Sequence, residues 1–143
     1  MSKERNKKNG KFSELQFSAL ALKLGFTVLQ PIEDSNSYDL VLEKNNKYIR
    51  VQIKSTHKIR NRVCSSYKGK KYFSKTYNFN TANKKELYSD KDTDFIVAHI
   101  EPENCWYILP IKEFTAKALS FGVGSTNSKY GKYKDNFQLL EPK

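Results

Sequence analysis

Long apolar runs and a secretion signal are both missing from this 143-residue chain. No stretch approaches the roughly 20 apolar residues that cross a bilayer, and Met1–Lys11 is charged with no apolar segment after it. We therefore expect a cytoplasmic protein without a membrane partner. Cys64 and Cys105 are far apart, and His57 and His99 are isolated, so the sequence predicts neither a disulfide nor a His/Cys metal site.

Glycine is also scarce, and the 6 glycines form neither of the two common phosphate loops, GxGxxG and GxxxxGK[ST]. Nucleotide hydrolysis is therefore disfavoured. Acidic residues are outnumbered, with 15 Asp and Glu against 26 Lys and Arg, which gives a net charge of +11. Such an excess is typical of a protein that binds a polyanion, and with the membrane set aside it favours nucleic acid.

The apolar pattern predicts one α+β domain over residues 1–143, with a disordered basic tail at Met1–Lys11. Helical periodicity covers Phe12–Leu24, where Ser13 could cap the start and Gly25 ends the helix. Strands are predicted at Phe26–Gln30, Tyr38–Glu43, Lys47–Ser55, Tyr72–Phe79, Thr93–Ile100 and Cys105–Leu109.

The remaining segments are predicted to be loops and helices. The pattern allows a short helix at Ala82–Leu87 and predicts an amphipathic helix at Ile111–Leu119. His57–Lys71 is basic and interrupted, and Ser120–Lys143 resembles a loop with room for a short strand at Phe137–Leu140.

The candidate site lies on the second and third predicted strands. Asp39 opens one strand, and Gln52 and Lys54 lie two residues apart on the next, so their side chains share a face. A short connection at Lys44–Lys47 would form a hairpin and bring Asp39 beside them. An acid, an amide oxygen and a cation gathered at a sheet end can hold a divalent metal against a phosphate. Taken singly, Asp39 is better explained as a strand-edge acid paired with Arg50, and only the group of residues together favours the metal site.

The order of these elements over about Gly10 to Phe114 resembles the PD-(D/E)XK nuclease superfamily. It is closest to the small branch that contains a group I intron homing endonuclease, in which glutamine replaces the second acid of the motif. The resemblance implies a restriction-endonuclease-like fold, with a central mixed β-sheet flanked by helices. The proline that usually precedes the first acid is replaced here by Tyr38.

The resemblance also implies a role for each site residue. Asp39 would be the central ligand of Mg²⁺, with Mn²⁺ as a substitute, and Gln52 and the backbone carbonyl of Ile53 would complete the set. Glu14 would bind the metal directly or through water, although it could instead be a first-turn acid that complements the helix dipole. Asp34 is the alternative acid if Glu14 does not bind the metal. Lys54 would orient water or stabilise charge on the phosphate.

A basic run follows the site and is predicted either to contact DNA or to form a solvated loop. Its six candidate DNA-binding residues are Lys58, Arg60, Arg62, Lys68, Lys70 and Lys71.

The sequence therefore favours a metal-dependent endonuclease that acts on double-stranded DNA, as a homodimer or homotetramer. Three alternatives stay open: a nuclease that resolves four-way junctions, a non-catalytic DNA-binding module on the same fold, and an RNA-binding protein in which the motif is coincidental.

Overall fold

The computed structural model describes residues 3–80, 82–83, 86–114, 118–122 and 130–143. One long helix, α1, spans Lys3–Lys23. The predicted disorder of Met1–Lys11 is therefore wrong for Lys3–Lys11, which forms the first half of α1. The first two turns contain no glycine or proline, and Glu4 and Lys8 form an i,i+4 ion pair of 3.5 Å.

The end of α1 follows the sequence prediction, but the predicted cap at its start does not. Gly25 adopts a left-handed φ of 91°, and Phe26 donates a backbone hydrogen bond to the Ala21 carbonyl at 3.0 Å. This is the usual glycine-terminated end of a helix. Ser13 does not cap α1, because it lies in the middle of the helix, where its hydroxyl contacts His99 Nδ1 at 2.9 Å.

Ten strands follow α1 in the described residues. They are β1 (Thr27–Leu29), β2 (Leu40–Lys44), β3 (Lys47–Thr56), β4 (Ile59–Tyr67), β5 (Lys70–Asn80), β6 (Ala82–Asn83), β7 (Glu86–Leu87), β8 (Phe95–Ile100), β9 (Cys105–Pro110) and β10 (Ala118–Gly122). Four short 3-10 helices lie at Glu101–Glu103, Ile111–Glu113, Gly131–Tyr133 and Phe137–Leu140.

The main sheet has five strands in the order β1-β2-β3-β8-β9. It is mixed, as predicted: β3 and β8 run parallel, and the other neighbours are antiparallel. The β2–β3 hairpin closes through Asn45 and Asn46, whose φ angles of 54° and 60° suit a two-residue turn. This turn fixes the register, which pairs Leu40 with Val51.

Each face of the main sheet carries its own core. Phe17 and Ala21 of α1 pack on one face, against side chains such as Leu40, Val51 and Trp106. The opposite face packs against a second sheet of order β10-β5-β4, through residues such as Tyr77, Phe121 and Tyr107. Within the described residues, α1 is thus the one α-helix that flanks the sheet, and strands cover the other side.

Three loop and helix predictions need correction. The basic run predicted as loop at His57–Lys71 contains β4, which pairs with β5 across a turn at Lys68 and Gly69. The helix predicted at Ile111–Leu119 is wrong at both ends, and its residues 115–117 lie outside the described residues. Ile111–Glu113 forms a 3-10 turn, and β10 is a strand because Leu119 and Phe121 alternate into the core opposite Phe79 and Tyr77.

The third correction concerns the helix that the pattern allowed at Ala82–Leu87. The short strands β6 and β7 stand at its two ends, and residues 84–85 lie outside the described residues. The strand allowed at Phe137–Leu140 is a 3-10 helix. In the described part of the chain no helix is long and apolar enough to cross a membrane.

Candidate active site

Asp39 lies directly before β2 and is held by the β2–β3 ladder. Its backbone N–H donates to the Val51 carbonyl at 2.9 Å, so the chain is already paired with β3 at this point. The register places Asp39 opposite Gln52. The carboxylate oxygen Oδ2 accepts two hydrogen bonds of 2.7 Å, from the Gln52 amide and from the backbone N–H of Ile53. The structure therefore brings Asp39 and Gln52 together as the sequence predicts.

The surroundings of Asp39 raise its pKa from 3.8 to about 6. Burial is the main cause, because it disfavours the charged form, and the nearby Glu14 carboxylate adds to it. The backbone hydrogen bond from Ile53 and the charges of Lys54 and Lys11 lower the pKa and only partly offset the rise. A carboxylate of this kind is stabilised by any cation that arrives beside it.

The Gln52 amide nitrogen occupies a position between two oxygens that also suits a cation. Its side chain is only 8% exposed, and its amide nitrogen contacts Asp39 Oδ2 at 2.7 Å and the Ile53 carbonyl oxygen at 3.4 Å. Two oxygens therefore converge on one partially positive group. A metal ion is attracted by the same pair of oxygens, and a rotation of the amide would turn its oxygen toward that ion.

The donor set suits a hard cation, although it is unlike an all-carboxylate cage. Among the described residues no group of three His, Cys, Asp or Glu side chains gathers to hold a metal. The oxygens here come from one carboxylate, one amide and one backbone carbonyl, with Glu14 near. Mg²⁺ prefers oxygen and keeps several of its waters, and this small number of protein ligands is therefore sufficient for it.

Glu14 faces the site from α1. Its side chain is 23% exposed and forms an ion pair of 3.0 Å with Lys11. Glu14 and Asp39 both line a cleft of about 550 Å³, together with Lys7, Lys11 and Asp34. Asp34, the alternative acid, therefore lies in the same cleft. Sequence reasoning missed Lys7 and Lys11, although their i, i+4, i+7 spacing with Glu14 places all three on one helical face.

Lys54 lies on β3 two residues beyond Gln52 and contacts a residue that the sequence did not indicate. Its ammonium donates to the Tyr88 hydroxyl at 3.3 Å and lies 5.2 Å from the centre of that ring. Tyr88 is buried and 34 positions away in the chain, so no local pattern could have signalled the contact. The tyrosine restrains Lys54 while leaving its charge close enough to act on Asp39.

Arg50 pairs with Asp94, which removes the simplest alternative for Asp39. Arg50 Nη2 lies 3.0 Å from Asp94 Oδ1, and the Arg50 backbone N–H donates to Asp94 Oδ2 at 2.7 Å. Burial raises the pKa of Asp94, but the hydrogen bonds and charge of Arg50 outweigh burial and hold the pKa below its usual range. Asp39 is thus not the partner of Arg50.

The six basic candidates lie on or beside the β4–β5 hairpin. Arg60 and Arg62 are exposed on β4 and share one face with Tyr72 of β5. Lys68 lies in the turn with a φ of 47°, and its ammonium is 5.5 Å from the centre of the Tyr67 ring. The others are Lys58, which precedes β4, and Lys70 and Lys71, which begin β5.

A mixed sheet with an acid before one strand and Gln-x-Lys on the next follows the order of the PD-(D/E)XK motif, except that Gln52 stands where the general motif has a second acid. A family model described as PD-(D/E)XK endonuclease matches residues 4–139. The chain belongs to the PD-(D/E)XK endonuclease family and has the nuclease fold that this family implies.

Comparison with solved structures agrees on the fold. The bacterial homing endonuclease I-Ssp6803I is similar, with a TM-score of 0.68 and 23% sequence identity over 94% of this chain and 91% of that chain. A search of the curated proteins finds no match.

The Gln52→Glu substitution tests the ligand position directly. The added carboxylate would stand against Asp39 Oδ2, so we expect lower stability without metal and metal affinity about tenfold higher at pH 8, with cleavage retained. Calorimetric titration with Mg²⁺ measures the affinity. Gln138→Glu, at an exposed position in the last 3-10 helix, makes the same charge change as a control. A folded Gln52→Glu protein with unchanged metal affinity would remove Gln52 from the ligand set.

Proposed function

We propose that this chain is a Mg²⁺-dependent DNA endonuclease that hydrolyses phosphodiester bonds, with Mn²⁺ as a substitute. The observation that carries the proposal is the convergence of Asp39 Oδ2 and the Ile53 carbonyl on the Gln52 amide, beside Lys54 on the same strand. The net charge of +11 supports a nucleic acid substrate.

The chain's own residues divide the chemistry between holding the metal and stabilising charge. When bound, the metal would lower the pKa of a water and offset charge on the scissile phosphate. Asp39, Gln52 and the Ile53 carbonyl would hold it, and Glu14 would hold a water at the cleft side. Lys54 would stabilise the negative charge that develops on the phosphate as water attacks.

The β4–β5 hairpin is the proposed DNA-contacting arm. A two-stranded ribbon of this kind fits the major groove of DNA. Arg60, Arg62 and Tyr72 lie on one face of it, and Lys70 shares that face near the tip. The basic side chains would bind phosphates and set the register, whereas exposed side chains on the same face could read bases.

We propose a homodimer or homotetramer as the working form. A chain of 143 residues carries one candidate site, and a cut through both strands of a symmetric target needs two sites related by a symmetry axis. The similar structure is a homing endonuclease, and by analogy a long DNA target is the first substrate to try.

The experiment is a cleavage assay on supercoiled, linear and four-way-junction DNA, with Mg²⁺, Mn²⁺ or EDTA. We expect cutting only with metal, and the preferred substrate identifies the class of nuclease. An Asp39→Asn protein purified in parallel reveals any contaminating nuclease. Binding to all three DNAs with no cutting under any metal would reject the enzyme and favour a DNA-binding module.

A further inference from the structure

A second cleft, of about 420 Å³, lies beside α1 and is lined by a different side of that helix from the cleft of Glu14 and Asp39. Asn6 and Asn9 of α1 line one side of it. The end of β3 and the link to β4 supply His57 and Lys58, and the base of the β4–β5 hairpin supplies Arg60 and Asn78. Three elements that are distant in sequence therefore meet around one polar space.

The second cleft differs from the first in the charge of its lining. The first cleft is lined by the lysines Lys7 and Lys11 and by four acids, Glu14, Glu33, Asp34 and Asp39. Among the described residues, the lining of the second cleft contains no acidic side chain, and each of its side chains carries a hydrogen-bond donor. Two cations, Lys58 and Arg60, together with neutral side chains that can donate, favour an anion in this space.

One side-chain nitrogen of the residues that line this cleft is shielded from water. His57 Nε2 is buried and has no hydrogen-bond partner among the described residues. A buried polar atom without a partner costs free energy, and a ligand that supplied the partner would recover it. In the tautomer that carries its proton on Nε2, His57 lacks an acceptor, and a ligand oxygen in the cleft would supply one when the ring turns toward it.

We propose that the second cleft binds a backbone phosphate of the DNA next to the cleaved one. This inference rests on the proposed nuclease function. The lining of the cleft includes Thr56, which lies two residues beyond Lys54 on the same face of β3, and a strand advances about 3.3 Å per residue. A DNA strand that presents one phosphate to Lys54 would therefore pass the second cleft within a few nucleotides.

The first half of α1 acquires a function from this arrangement. Asn6 and Asn9 face the second cleft, while Lys7 and Lys11 face the first. The helical extension is thus a ridge between two clefts, and it holds its donors in fixed positions. A disordered basic tail would offer charge without such positions, and it would lose conformational entropy on binding.

The test places a negative charge in the second cleft and the same charge elsewhere. Asn9→Asp puts a carboxylate into the cleft, whereas Asn45→Asp puts one in the exposed β2–β3 turn at the other end of β3. Both changes lower the net charge by one. Binding to duplex DNA is measured by fluorescence anisotropy in EDTA. We expect Asn9→Asp to weaken binding roughly tenfold to hundredfold, and Asn45→Asp to stay within about twofold.

A second pair of variants measures the number of phosphates directly. Arg60→Gln removes a cation from the cleft, and Lys47→Gln removes one from the exposed start of β3. The slope of log K against log salt is negative, and its magnitude falls by about 0.9 for each phosphate that the protein no longer neutralises. We expect that reduction for Arg60→Gln and an unchanged slope for Lys47→Gln. Equal slopes for the two proteins, or equal affinities for Asn9→Asp and Asn45→Asp, would overturn the proposal.

The outcomes distinguish a failure of the proposed phosphate site from a failure of the proposed nuclease function. If the wild type cuts DNA and the cleft variants bind as their controls do, the phosphate site is wrong and the nuclease stands. If the wild type binds DNA without cutting and the cleft variants lose affinity, the phosphate site stands and the nuclease is wrong.

Discussion

Asp39→Asn will abolish cleavage and at the same time stabilise the metal-free protein. The loss of cleavage is expected to reach at least about a thousandfold, since a neutral amide cannot supply the charge that holds the metal, and several kcal/mol of catalysis depend on it. The substitution changes no volume, and an amide oxygen at position 39 can still accept from the Ile53 N–H. Cleavage is measured under single-turnover conditions with saturating Mg²⁺.

The gain in stability follows from the raised pKa of Asp39, about 6 against 3.8. Because the unfolded chain gives up this proton more readily, ionisation favours unfolding as the pH rises from about 4 to about 6. Above pH 6 the native state has lost on the order of 3 kcal/mol, at 1.36 kcal/mol per pH unit. Asp39→Asn removes that penalty, so its stabilisation is absent below pH 4 and full above pH 6.

Urea unfolding at pH 4 and pH 8 in EDTA measures this pH dependence. Asp90→Asn, at an exposed turn position, makes the same charge change, and its difference in stability from the wild type should be nearly the same at the two pH values. Saturating Mg²⁺ should reduce the difference in unfolding free energy between Asp39→Asn and the wild type at pH 8, because only the wild type retains a carboxylate at position 39 for the ion to stabilise. An Asp39→Asn protein that is less stable than the wild type at pH 8 would contradict the burial of a costly charge.

The candidate site could be predicted because its geometry is local. The two-residue alternation of β3 and the short turn at Asn45 and Asn46 fix the faces of Gln52 and Lys54 and bring Asp39 opposite. Asp39, Gln52 and Lys54 all belong to one hairpin, so the local sequence determines how they lie relative to one another. Tyr88 lies outside it and reaches Lys54 through tertiary packing, which no periodicity encodes.

The hairpin of β4 and β5 shows why the rest of the fold was harder to predict. Its outer half is exposed on both faces, so Arg62, Val63 and Phe73 show no clean alternation of apolar and polar residues. The turn at Lys68 and Gly69, both with positive φ, was the local signal for a hairpin. In β10, pairing with β5 prevailed over the helical spacing of Ile111–Leu119.

Lys54→Met will reduce cleavage by about a hundredfold to a thousandfold while leaving metal binding intact. Methionine keeps the length of the stem and its packing on the Tyr88 ring, and removes only the charge. The expected loss matches the removal of one group that stabilises charge in a transition state, about 2.7–4 kcal/mol. Single-turnover cleavage and calorimetric Mg²⁺ titration are measured on the same protein.

The control is Lys47→Met, which makes the same substitution at the exposed start of the same strand and should cleave within about twofold of the wild type. Tyr88→Phe keeps the ring and removes the hydroxyl that contacts Lys54 at 3.3 Å, so a loss of only a few-fold is expected. Lys54 acts on charge and Asp39 holds the metal, so the two variants must differ in metal affinity. If Lys54→Met loses metal binding as completely as Asp39→Asn, the lysine organises the ligands and the division of roles proposed above fails.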